Sequence, residues 1–121
     1  MIARILVITA LLLTVLPTAA HEVSKGPHGG RVVEAGAYHV ELVVKVRAVD
    51  VFLSDVDSKP LPATGFKGLA ILTASGKAQR IELAPKDNHL SGTSPVVLPE
   101  APKGVVQLTA PDGKTAQRRF N

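Results

Sequence analysis

The stretch AYHVELVVKV, from Ala37 to Val46, decides the fold. Tyr38, Val40, Leu42, Val44 and Val46 fall on one side of it, and Ala37, His39, Glu41, Val43 and Lys45 on the other. A period of two belongs to a β-strand, whose successive side chains point to opposite faces. The Tyr/Val/Leu face is predicted to be buried, and the face carrying His39 and Glu41 to be turned to solvent. No window of the chain shows a sustained helical period.

Working outward, Val49, Val51 and Leu53 continue the alternation in a second strand. Asp50 and Ser54 lie on its outer face, and Phe52 stands there out of pattern. The link at Arg47-Ala48 carries no strong turn residue. Upstream, Arg31 to Glu34 is a short strand candidate closed by Ala35-Gly36. Before it, His21 to Gly30 forms a polar arm broken by Gly26-Pro27 and Gly29-Gly30. Downstream, Asp55 to Gly65 is an irregular connection punctuated by Pro60 and Pro62. Phe66–Ala74 and Ala78–Ala84 pair around Ser75-Gly76-Lys77. Pro85 to Gly92 is a polar turn containing His89. Val96 to Leu98 is a short edge strand hemmed by Pro95 and Pro99. Val105–Ala110 and Thr115–Phe120 form a last hairpin. About seven short strands between regular turn signals predict an all-β fold, a small antiparallel β-sandwich or open barrel spanning 31–121.

The first twenty residues differ in kind. Arg4 precedes an apolar run from Ile5 to Leu16, which ends in Pro17-Thr18-Ala19-Ala20. A basic start, a short apolar run and a small-residue end describe a signal peptide over 1–20, hence export to the periplasm. A membrane span needs roughly 17–25 apolar residues, more than this run supplies before Pro17 and His21-Glu22. No stable membrane insertion is expected after cleavage.

Composition narrows the chemistry. There are 14 Lys and Arg against 10 Asp and Glu, spread in ones and twos, and Arg118-Arg119 is the only adjacent pair of like charge. With no Trp, one Tyr and three Phe, the chain lacks the basic patch and stacking aromatics of a nucleic-acid binder. Cysteine is absent, which removes thiolate nucleophiles, zinc–thiolate sites and iron–sulfur clusters. No G-x-S-x-G elbow occurs, and the one close carboxylate pair, Asp55 and Asp57, lacks the further ligands of a calcium loop. Enzymatic activity is not expected. A copper oxidase built on an N-terminal histidine is the one catalytic alternative, and the chain matches it in that residue alone.

What the sequence does offer is imidazole. Cleavage after Ala20, which presents Ala20 and Thr18 to the peptidase, makes His21 the first residue. A free α-amine and Nδ1 of the same histidine close one chelate ring on a metal. A further imidazole completes a tetragonal nitrogen set suited to Cu(II) or Ni(II). The amine has an ordinary pKa of roughly 7.7–8.0, so it yields its proton to a metal near neutral pH. His28 follows across the flexible Gly26-Pro27 link. His39 and Glu41 share one strand face at an i, i+2 spacing of about 6.5–7 Å. His21, His28, His39 and Glu41 are therefore the expected metal ligands, for Cu, Ni, Co or Zn. The competing expectation for the same residues is an exposed polar pair on a metal-free interaction module that docks on a partner protein.

The segment from Gly26 to Glu34, G-P-H-G-G-R-V-V-E, followed by Tyr38-His39-Val40-Glu41-Leu42, resembles one near the start of periplasmic adaptor subunits of heavy-metal efflux pumps of the resistance-nodulation-division class. The layout from Gly26 to Phe120 also resembles small stand-alone periplasmic β-domain proteins. The adaptor likeness covers about 20 residues, and the chain lacks an adaptor's helical hairpin and its lipoyl and barrel domains. It implies a periplasmic β-domain linked to metal-cation handling, with a heavy-metal efflux component as partner. It carries over His28 as a ligand and, more weakly, His39 and Glu41.

Overall fold

The computed structural model describes residues 23–121, and the candidate ligand His21 and the leader over 1–20 lie outside them. Ten strands form among the described residues: β1 (Ser24–Lys25), β2 (Arg31–Ala35), β3 (Tyr38–Lys45), β4 (Ala48–Ser54), β5 (Pro60–Leu61), β6 (Lys67–Ala74), β7 (Lys77–Lys86), β8 (His89–Thr93), β9 (Gly104–Thr109) and β10 (Thr115–Phe120). The described residues are all-β and antiparallel, with strand order β1-β2-β3-β4-β8-β7-β6-β9-β10, and β5 pairs with the end of β4 that lies beyond β8.

The sheet is open and curled rather than two stacked layers, and it holds more strands than the expected seven. Three differences account for the count. The arm contributes β1, because Ser24 and Lys25 pair with Val32 and Arg31. Pro60-Leu61 attaches to Ser54 and Leu53. The expected turn at Pro85–Gly92 shrinks to Asp87-Asn88, and His89 opens β8 opposite Lys86. Conversely, Val96–Leu98 forms no strand. It belongs to a connection from β8 to β9 in which Leu98 is buried while Val96 and Val97 are exposed.

Burial follows the alternation. Val40 and Leu42 on β3, Val49, Val51 and Leu53 on β4, and Ala70, Leu72, Ile81, Leu83, Leu90, Val106 and Leu108 beyond them fill the concave side. The core rests on branched aliphatics, which are stiff at χ1 and pack well on a pleated surface. The two ends of the sheet approach each other, and among the described residues no strand pairing joins β2 to β10. The Arg31 guanidinium on β2 lies over the Phe120 ring on β10, 5.1 Å from its centre, and donates to the Pro102 carbonyl at 2.6 Å. Phe120 is fully buried at this seam.

Candidate functional site

The register of the sheet assembles one transverse row on its convex face. Ser24 pairs with Val32, Val32 with Glu41, and Glu41 with Phe52. Val51 pairs with Leu90, which brings Phe52 beside His89. Glu41, Phe52 and His89 thus come from three different strands, and His28 is added from above by the β1–β2 hairpin.

The hairpin tip explains its own sequence. Gly29 donates its N–H to the Gly26 carbonyl (3.0 Å), and Gly26 donates to the Gly30 carbonyl (2.9 Å). This is a three-residue loop in which Pro27 takes the first turn position and Gly29 the left-handed one, at φ 80°. Gly26 and Gly30 meet a different demand, close approach. A Cβ on Gly26 would lie 2.3 Å from Glu41 Cδ, and one on Gly30 would lie 2.4 Å from the Leu42 carbonyl oxygen. The tip is folded down onto β3 with no space for a methyl group.

Glu41 receives it. His28 and Gly30 both donate backbone N–H to Oε2, each at 2.9 Å, and His28 Nδ1 contacts Oε1 at 2.7 Å. Glu41 was expected to face solvent. It does sit on the convex face, but only 3 % of it is exposed, because the hairpin tip covers it. A carboxylate in this position accepts three hydrogen bonds and offers none, which satisfies a buried charge that would otherwise be costly. Since the carboxylate only accepts, Nδ1 of His28 is the donor. With Nδ1 as the donor, it is Nε2 that carries the lone pair in the neutral form of the ring. The His28 side chain is 48 % exposed.

Phe52 completes the arrangement. Its ring stacks on His28 with centres 3.7 Å apart and planes within 9°. His89 stacks on it as well, at 4.6 Å and 22°. Two rings this close cannot share one face of a phenyl group, so the imidazoles sit on opposite sides of it. They therefore cannot share an ion, whose two ligand nitrogens lie at most about 4 Å apart. His89 is oriented in mirror fashion, with Nε2 on Asp50 Oδ1 at 3.0 Å. His39 makes a looser pair with Glu34, its cross-strand neighbour, at 3.4 Å, and Glu34 is largely exposed.

His28, His39 and His89, with Glu34, Glu41 and Phe52, line one cleft of about 1010 Å³. Of the four expected ligands, His28 and Glu41 are in direct contact, and His39 lies one pair of residues along the same strand face. Among the described residues no three His, Asp or Glu side chains form a group able to hold a metal ion. Sequence reasoning missed Phe52 as a site residue and placed His89 alone in a turn. The one available signal was Phe52 itself, a large apolar residue on the face that its strand gives to polar groups. No known family model, curated protein or solved structure matches the chain.

Proposed function

We propose that the protein is an exported periplasmic metal-cation-binding protein, acting as a chaperone, a buffer or an accessory to heavy-metal efflux. The carrying observation is the Glu41–His28 pair. A histidine that ligates a metal usually donates its other ring N–H to a carboxylate, which fixes the tautomer and raises the basicity of the ligating nitrogen. His28 has this partner, a stacked ring that holds its plane, and an Nε2 free to ligate. Glu41, with both oxygens already engaged, serves as the orienting group and His28 as the ligand. His39 contributes from the same cleft.

The described residues supply too few donors alone, and His21 supplies the rest, through its amine and imidazole. It stands three residues before Ser24, a reach of roughly 10 Å in extended chain, and Ser24 lines the same cleft as His28. A donor set of nitrogen and oxygen without thiolate suits Cu(II), Ni(II), Co(II) or Zn(II).

Calorimetric titration of the exported protein with these four ions, its first residue confirmed by mass spectrometry, tests the reading. At least one ion binds tighter than about 10 μM, and His28→Ala abolishes that affinity. Glu41→Gln weakens it about 10–100-fold, since whichever way the amide turns, its NH2 faces a donor. Failure of all four ions to bind at that level, or an unchanged affinity in His28→Ala, rules the site out.

A further inference from the structure

The molecule carries two exposed valines on rigid turns at opposite ends of β4, and their flanking charges are of opposite sign. The first turn is Lys45-Val46-Arg47. Val46 is 66 % exposed and sits at φ 59°, a conformation that a β-branched residue adopts only under constraint. The constraint is visible. The Val46 carbonyl accepts the Leu98 N–H at 2.8 Å, and the Arg47 carbonyl accepts the Ser94 N–H at 2.7 Å. The same connection sets Val96 and Val97 in the open, the latter 58 % exposed. This end is therefore a fixed apolar knob with a cationic rim.

The second turn is Asp55-Val56-Asp57. Val56 is 69 % exposed. Asp55 Oδ1 accepts the N–H groups of Asp57 and Lys59, both at 2.9 Å, and the Asp55 backbone closes the loop with Lys59 and Ser58. This knob is shaped by hydrogen bonds within its own loop, and its valine is bracketed by carboxylates. Exposed turns are ordinarily loose, so two that are pinned while presenting valine have already lost the freedom that binding would remove.

We infer that the two ends are complementary, and that copies of this chain associate head to tail, the Lys45-Val46-Arg47 turn of one against the Asp55-Val56-Asp57 turn of the next. Placing like ends together would oppose like charges, which disfavours a two-fold pair. The two knobs point along opposite directions of β4, so the contact is heterologous and does not close on itself in a dimer. Each end is far smaller than the roughly 1,000 Å² of a stable interface, so the association is weak and reversible. None of the six residues of the two turns lines the cleft, although Ser54 and Ser58, which flank the acidic turn, do.

Sedimentation velocity of the purified protein, with chelator present, tests it. The weight-average sedimentation coefficient rises continuously with concentration, without a plateau at dimer, and the rise is suppressed at about 0.5 M salt, where screening is strong. Lys45→Glu with Arg47→Glu stays monomeric, as does Asp57→Lys, and an equimolar mixture of the two sediments faster than either. Val97→Ser, on a residue outside both turns, weakens association at least severalfold and serves if the charge variants fold poorly. A concentration-independent coefficient, a plateau at dimer, or charge variants that associate like the parent each overturns the inference.

Discussion

Val46 shows what a single residue conceals. By alternation it belongs to the buried face of β3, with Tyr38, Val40, Leu42 and Val44. It instead leaves the strand, at φ 59°, as the first residue of a two-residue turn. No turn signal marks the spot, because turns of this kind favour Gly, Asn or Asp. The hydrogen bonds from Ser94 and Leu98 that hold Val46 there come from some fifty residues away, and no local pattern encodes them. The strain is measurable. Val46→Asn places a residue that tolerates the left-handed region where valine does not, and removes no buried contact. The variant is expected to be more stable than the parent by about 1 kcal/mol. A higher urea midpoint at unchanged slope is the confirming result, and a lower one refutes the strain. Glu41 was misread for a similar reason. Its position on the convex face was legible from period two, but its burial depends on a loop 13 residues earlier folding back over it.

At the scale of elements, β3, β4, β6, β7, β9 and β10 were legible from their alternation, and all but the β3–β4 junction are bounded by recognisable turns. β8 was not. Its sequence, His89-Leu90-Ser91-Gly92-Thr93, has one strongly apolar residue, and it is a strand because β4 and β7 both pair with it. The β1–β2 hairpin was half legible. Gly26-Pro27 and Gly29-Gly30 announced a turn, while the docking of its tip rests on Glu41 in the next strand and Phe52 in the one after. The docking makes a prediction about exchange. Backbone N–H groups at an exposed loop tip normally exchange freely, yet those of His28 and Gly30 are bonded to a buried carboxylate. Both amides are expected to be slowed in amide-resolved hydrogen exchange, and Glu41→Ala to release them. Amides of the β6–β9 pairing, far from the tip, keep their protection. Equal rates at His28 and Gly30 in parent and variant would show that the tip is held by something else.

For the whole molecule the question is how a curled sheet with no strand pairing between β2 and β10 among the described residues stays curled. The long-range pairings β4–β8 and β6–β9 join residues about forty apart and set the curvature, but they leave the seam between β2 and β10 to side chains. Phe120 is the group that closes it. It is fully buried among the largest core side chains, and Arg31 covers its outer face while anchoring the β8–β9 connection through Pro102. Arg31 is itself partly desolvated there, and burial lowers its pKa from the usual guanidinium value. It stays charged at any ordinary pH, which favours holding it over an aromatic face. Phe120→Ala removes the ring from both partners at once. It is expected to cost about 3–5 kcal/mol, at the large end for core truncations, since Arg31 cannot collapse into the space without burying its charge further. Phe120→Leu restores most of the volume but no π face, so it should recover most of the loss and leave a deficit of about 0.5–1 kcal/mol, the size of a cation–π contact. Arg31→Met in the Phe120→Leu background then supplies the decisive measurement. If the seam is held by the ring and the cation together, the two substitutions are non-additive in urea denaturation; if they add within error, the contact is incidental and the aliphatic core alone sets the curl.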